Sequence, residues 1–154
     1  MNAEYVNPFL EAAALVYKDL LGAELLRGKT NIKQAPNPGH DIAIGLTVSG
    51  AATGRVVYSL NIETVVKIVQ RLMPGSTREA VMNEYKDVLG ELANMITGNA
   101  VNIFLKSGAD IEISVPEVVD TRSGKLNVEQ KLALCLNLYC TYGLLEVNIA
   151  FQDV

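Results

Sequence analysis

The sequence contains few of the side chains that bind metals or carry out redox chemistry. It has two cysteines, Cys135 and Cys140, and a single histidine, His40. The two cysteines are too close together to staple the chain, and at five positions apart in a strand they point to opposite faces. We therefore expect free, buried or half-buried thiols. His40 follows a turn-rich loop at residues 36–39 and has no second ligand at a suitable spacing, so we expect a surface residue and no metal site.

Basic residues are neither numerous nor clustered. The 13 Lys and Arg residues are outnumbered by 17 Asp and Glu residues, which gives a net charge of −4, so we expect no nucleic-acid partner. No apolar run reaches the ~18 residues that a membrane span needs, and residues 1–8 lack both the basic and the apolar part of a signal peptide. We therefore expect a cytoplasmic protein with no membrane partner.

The sequence motifs of many common enzymes are also absent. There is no glycine-rich phosphate loop of the GxxxxGK[ST] or GxGxxG type, and no CxxC, HExxH or GxSxG pattern. The chain does contain a large apolar fraction, 49% of its 154 residues, against 19% charged residues. This composition predicts one compact domain over residues 1–154.

Periodicity predicts three helices and about five strands. The helices are expected at residues 8–28 with Asn7 as N-cap, at 62–73 with Asn61 as N-cap, and at 77–106 with Ser76 or Thr77 as N-cap. Strands are expected at 42–48 and 56–58, at 111–115, and at 132–140 and 145–151, and an extended piece is expected at 29–33. The prediction is an α+β domain, a mostly antiparallel sheet packed by two long helices plus a shorter third helix. The hairpin at 132–151 is a plausible sheet edge.

Four residues of the third helix lie on a face that the predicted core does not use. On a helical wheel centred on Leu92, Asp87, Glu91, Asn94 and Gly98 fall between about 200° and 260°. Their spacings of three and four residues stack them along one line, which we call the polar ridge. The predicted buried stripe falls within about 40° of zero and comprises Val81, Tyr85, Val88, Leu92, Ile96, Asn99 and Ile103.

Periodicity alone would make the polar ridge a solvated helix face. Asn94 and Gly98, however, are poor helix formers, by ~0.5 and ~1 kcal/mol relative to Ala, and local packing requires neither. Gly98 lies one turn beyond Asn94 and leaves room for another backbone to approach. These features favour a surface that inserts into a partner protein.

The polar ridge also carries a resemblance to a known family. The pattern Asp87-x-x-x-Glu91-x-x-Asn94 on a long helix, with Pro116 about twenty residues later, resembles the signature of the CheC/CheX/FliY group of chemotaxis phosphatases, which act on the phosphorylated response regulator CheY. The opening Tyr5-Val6-Asn7-Pro8-Phe9 and the chain length are similar to CheX in particular. The resemblance implies an α+β fold and a homodimer with one active motif per chain.

The same resemblance implies residue roles. Glu91 would pair with a lysine beside the regulator's phospho-aspartate, and Asn94 would enter the regulator's active site and orient the attacking water. Asp87 is a flanking motif position, which we assign with Gly98 to partner binding. No cofactor of its own is expected, because the regulator already holds Mg²⁺ and a lysine at the phosphoryl group. The gap from Asn94 to Pro116 is a residue shorter than the usual pattern, so no role passes to Pro116.

The first helix repeats the spacing of the ridge in Asn7-x-x-x-Glu11-x-x-Ala14. CheC carries two motifs, and by that resemblance this would be a second copy, inactive because Ala14 stands where the amide should be. Three interpretations remain open. The chain is a phosphatase of a CheY-like regulator, a non-catalytic regulator-binding or flagellar-switch module of the same family, or a small-ligand-binding protein with a pocket between sheet and helices.

Overall fold

Three helices and a seven-stranded sheet form the fold in a computed structural model, which describes residues 3–152. The helices are α1 (Asn7–Leu21), α2 (Ile62–Leu72) and α3 (Arg78–Lys106), and a 3₁₀ turn at Ala3–Tyr5 precedes α1. The strands are β1 (Leu26–Lys33), β2 (Ile42–Gly50), β3 (Gly54–Leu60), β4 (Ile111–Ile113), β5 (Glu117–Asp120), β6 (Ala133–Cys140) and β7 (Gly143–Phe151). The α+β class is confirmed, although there are seven strands instead of about five. The predicted domain, 1–154, includes two residues at each end outside the described range.

The two later helices begin where their capping residues predicted. The Asn61 side chain accepts a hydrogen bond from the backbone N–H of Thr64 at 2.8 Å, at the start of α2. The Thr77 side chain accepts one from the backbone N–H of Ala80 at 3.1 Å, at the start of α3. Each bond satisfies an N–H group that the first helical turn leaves unpaired.

The prediction for α1 was wrong at both ends. Val6, and not Asn7, is the N-cap. The chain already has helical backbone angles at Val6 as it leaves the 3₁₀ turn, so Asn7 lies inside the helix, and no side chain caps the helix. At the other end Gly22, at φ 60°, terminates the helix six residues before Gly28. The N–H groups of Gly22 and Ala23 bond to carbonyls of the last turn, a C-cap that glycine adopts without steric penalty.

The sheet is wholly antiparallel, in the order β1-β6-β7-β3-β2-β4, with β5 also paired to β2. The suggestion that the β6–β7 hairpin is a sheet edge was therefore wrong, because β1 pairs along β6 and forms the edge itself. The predicted strand 111–115 ends at Ile113, and a second strand, β5, follows Pro116. Proline has no N–H to donate to the ladder, which accounts for the break.

The helices pack together on one face of the sheet, and the main core lies between the two layers. Helix α3 contacts α1 and α2 as well as β2, β4 and β5. Its buried arc is therefore wider than the predicted stripe. Val88, Asn99 and Ile103 are only half-buried, whereas the arc gains Leu89, Ala93, Thr97, Ala100 and Phe104. By length and composition alone α3 could cross a membrane, but a core helix passes the same test.

Candidate functional site

The structure places the polar ridge on the outer surface of α3. Asp87, Glu91 and Asn94 are exposed, and Gly98 is half-buried. Residues three and four apart on a helix have Cβ atoms ~5–6 Å from each other, so the Glu91 carboxylate and the Asn94 amide can reach one partner surface together. Because these three polar side chains are exposed, they do not line an internal pocket of the kind that the ligand-binding interpretation needed.

A buried hydrogen bond helps to fix the rotation of α3 at the ridge. Thr97 lies between Asn94 and Gly98 in the sequence but on the opposite, buried side of the helix. Its hydroxyl donates to the Ala93 carbonyl at 2.7 Å and thus accepts from the Tyr58 hydroxyl of β3 at 2.9 Å. Burial raises the pKa of Tyr58, so the phenol remains a neutral donor. This bond ties the helix to the sheet and keeps the ridge pointing outward.

Two different surfaces flank the ridge. On one side, Gly90 faces Pro116 and Val118, because a Cβ built on Gly90 would lie 3.8 Å from Pro116 Cγ and 3.7 Å from Val118 Cγ2. That flank is already covered by the β4–β5 connection and β5. Pro116 therefore packs beside α3, a position that the sequence did not predict.

On the other side of the ridge lies an open groove between α3, the end of α1 and the end of α2. We call it the ridge groove. Its apolar lining consists of Leu20, Leu72, Met73, Val88, Leu92 and Met95. Asp87 and Glu91 of the polar ridge form its acidic rim. The groove was not predicted, since it combines residues from three helices.

The acids of the ridge are unpaired in the part of the chain that the structure describes. Within residues 3–152, neither Asp87 nor Glu91 forms an ion pair or a side-chain hydrogen bond, and the Asn94 amide is likewise unbonded. Exposed side chains on a solvated helix can remain unpaired in this way, and these groups are therefore available to bind a partner. The corresponding positions of α1, Asn7, Glu11 and Ala14, are also exposed, so the structure presents both copies of the spacing to solvent.

A buried carboxylate, that of Glu146, lies on the opposite face of the sheet and was not predicted from the sequence. Glu146 Oε1 accepts hydrogen bonds from Asn148 Nδ2 at 2.7 Å, Ser59 Oγ at 2.9 Å and the Gly39 backbone N–H at 2.9 Å, and Lys33 Nζ lies 3.4 Å away. Burial by itself would raise the pKa of Glu146, but these bonds and the lysine charge outweigh it and hold the pKa below its usual value. The carboxylate fixes the 34–40 loop against the sheet.

The histidine and the cysteines take up structural positions. His40 is half-buried, with Nε2 3.8 Å from Glu146 Oε2, and is not the surface residue that we expected. Cys135 is buried and Cys140 half-buried, and both are free thiols, as predicted. Burial, and then the charge of Glu146, raises the pKa of Cys135. Among the described residues no group of three or more His, Cys, Asp or Glu could hold a metal ion.

Comparison with known protein families gives a match that includes the ridge. A family model described as "Chemotaxis phosphatase CheX" matches residues 42–138, a segment that contains Glu91 and Asn94 but excludes α1. Over 126 residues the chain is 27% identical to the CheY-P phosphatase CheX of Thermotoga maritima, a match that covers 82% of this chain and 81% of that protein.

Solved structures show the same architecture. The chemotaxis protein CheX from Vibrio vulnificus superimposes with a TM-score of 0.83 at 26% identity, and the match covers 97% of this chain and all of that one. The CheX of a CheX–CheY–BeF3–Mg²⁺ complex from Borrelia burgdorferi has a TM-score of 0.80 at 24% identity, with 99% and 100% of the two chains covered. This second likeness concerns the fold alone.

Proposed function

Because the chain belongs to the CheX family of chemotaxis phosphatases, we propose that it accelerates hydrolysis of the aspartyl phosphate of a phosphorylated CheY-like response regulator. The observation that carries this proposal is the exposed pair of Glu91 and Asn94 on the outer face of a helix whose inner face is held by the core. The name of the Thermotoga maritima relative supports the activity, and its match extends over most of both chains.

Asn94 would place the attacking water. A carboxamide can accept a hydrogen bond from water and donate one toward a phosphoryl oxygen without adding negative charge. The water oxygen bonds to phosphorus in line with the breaking bond between phosphorus and the aspartyl oxygen, so the products are inorganic phosphate and the free aspartate. Such a reaction gains mainly from positioning, since the regulator supplies the charge stabilisation.

Glu91 would dock to the lysine beside the regulator's phospho-aspartate, and Asp87 and Gly98 would contribute to binding. The two carboxylates have no ion-pair partner within the described residues, so binding a lysine breaks no existing pair. Nothing occupies the space within 4 Å of a Cβ built on Gly98, which would let the regulator backbone come close. The Mg²⁺ of the reaction would belong to the regulator, and this chain would need no cofactor of its own.

We also propose that the chain acts in the cytoplasm as a homodimer, joined along β1. This strand is an outer edge of the sheet and presents Leu26 and Ile32 with 60% and 73% of their surface exposed. Native edge strands are usually protected, so an outer edge that exposes two large apolar side chains favours pairing with a second copy. Light scattering after gel filtration should give a dimer mass that Ile32→Lys lowers to that of a monomer. A monomeric wild-type chain would rule this dimer out.

The decisive experiment follows loss of phosphate from a CheY-like regulator with and without the protein, next to binding of the same regulator carrying beryllofluoride and Mg²⁺. We expect both faster phosphate loss and binding. Binding without faster phosphate loss would identify the chain as the non-catalytic module that the sequence left open. Neither effect, with a panel of CheY-like regulators from the same organism, would overturn the proposal.

A further inference from the structure

The proposed function leaves the ridge groove without a role, although it adjoins the two acids of the ridge. We propose that the ridge groove binds an apolar side chain of the regulator that lies next to a basic residue on the regulator's surface. This inference rests on the proposed function and deepens it, because it names the second contact that would hold the regulator while Asn94 reaches the phosphoryl group.

The lining of the ridge groove is apolar and partly open to solvent. Five of the six apolar side chains that line the ridge groove are half-buried, and only Leu92 is fully buried. Burying exposed apolar surface of this kind is the main favourable term in protein association. Met73 and Met95 are flexible and polarisable, and methionines are common on surfaces that adjust to a partner's side chain. The lining is therefore suited to a side chain brought by another protein.

The rim of the ridge groove is acidic. Asp87 and Glu91 at the rim are exposed and form no ion pair with any residue in the described part of the chain. An acidic rim around an apolar floor complements an apolar side chain that has a lysine or arginine beside it. The same rim would repel anionic lipid headgroups and nucleic acid. A basic, partly apolar protein surface is thus the occupant that the groove fits.

The ridge groove also lies where a bound regulator needs additional contact area. A stable interface buries roughly 800 Å² on each partner, more than one ridge of a single helix offers, so a bound regulator must also cover a flank of the ridge. The flank beside Gly90 is already covered by Pro116 and Val118. The ridge groove is the open flank, and it begins at Glu91, one turn of helix from Asn94.

The test measures the dissociation constant for a CheY-like regulator carrying beryllofluoride and Mg²⁺, together with KM and kcat for phosphate loss. The groove variants are Leu20→Asp in α1 and Met73→Ser at the end of α2. The matched control is Leu15→Asp, because Leu15 is on α1, 47% exposed and outside the groove. We expect the groove variants to raise the dissociation constant and KM ~10-fold or more, which corresponds to ~1.4 kcal/mol, with kcat within about twofold of wild type.

Circular dichroism and thermal melting would confirm folding, and Met73→Ser is the milder change if Leu20→Asp does not fold. The inference is overturned if the groove variants bind like wild type, if Leu15→Asp weakens binding equally, or if the groove variants alter the oligomeric state, which would make the groove a contact between copies. Binding is measured separately from phosphate loss. A wild-type protein that binds the regulator but does not speed phosphate loss therefore refutes the proposed activity and not the groove.

Discussion

A substitution at Gly98 distinguishes what the fold requires from what the proposed complex requires. It lies inside α3, where glycine is ~0.8–1.0 kcal/mol less favourable than alanine. A Cβ added there meets no atom within 4 Å, so Gly98→Ala introduces no clash in the free protein. We therefore expect the variant to be about 1 kcal/mol more stable, a rise in melting temperature of ~2–4 °C for a chain of this size.

The same substitution should weaken the complex if the regulator backbone approaches Gly98. The added methyl group would occupy the clearance beside Asn94, and we expect KM for the phosphorylated regulator to rise ~10-fold or more, ~1.4 kcal/mol. The assays are thermal denaturation and the rate of phosphate loss at several regulator concentrations. The variant would then be more stable and less active, which loss of folding cannot produce.

Gly90→Ala is the matched control. Gly90 is also inside α3, and its added Cβ would make ordinary contacts of 3.7 and 3.8 Å with Val118 and Pro116. It should give a similar gain in stability, but an unchanged KM, because that side of the helix is already covered by the chain itself. If Gly98→Ala is stabilised and still has wild-type KM and kcat, the clearance assigned to Gly98 is wrong.

Three further changes test other contacts. Glu91→Ala should raise KM ~30-fold, ~2 kcal/mol for a lost charge pair. Glu11 of α1 is also exposed, and Glu11→Ala should leave KM unchanged. Equal effects of the two substitutions on KM would contradict the docking role of Glu91. Tyr58→Phe removes the bond to Thr97 and should lower the free energy of unfolding by ~1 kcal/mol, which thermal denaturation would detect. Because the pKa of Glu146 is lowered in the fold, its carboxylate stabilises the protein above the unfolded pKa of ~4.3, and this contribution is lost as the pH falls through the folded pKa. Glu146→Gln should therefore lower stability at pH 7 by ~1.5–3 kcal/mol and flatten the acid side of the stability profile, and an unchanged profile would refute this assignment.

The sequence predicted best those features that depend on residues a few positions apart in the chain. The starts of α2 and α3 depend on Asn61 and Thr77, each bonded to an N–H three residues later, and the outward direction of the ridge follows from helical spacing. The end of α1 also depends on nearby residues, but the sequence has two glycines, Gly22 and Gly28, at which the helix could end. The apolar period continues to Leu25, yet the helix ends at Gly22, where the backbone turns left-handed.

The features that the sequence did not predict depend on contacts between distant segments. Strand β1 has a largely exposed, polar sequence, in which we expected only an extended piece at 29–33. Its pairing with β6 makes Leu26–Lys33 a full strand and a sheet edge. Glu146 is bonded to groups 87 and 107 residues away. The one available signal was a charged residue on the non-core side of a strictly alternating strand. The ridge groove needs the ends of α1 and α2 to meet α3, which periodicity within one helix cannot reveal.

The central claim is that Asn94 places the water that removes the phosphoryl group. The most direct measurement is the rate constant for phosphate loss from the regulator at a saturating concentration of this protein, for wild type and Asn94→Ala. We predict that the variant reduces the acceleration ~10²–10³-fold, ~3–4 kcal/mol, while the melting temperature and the binding of the beryllofluoride-carrying regulator remain as in wild type, since Asn94 is exposed and off the core. An Asn94→Ala protein that accelerates phosphate loss as fast as wild type would contradict the account.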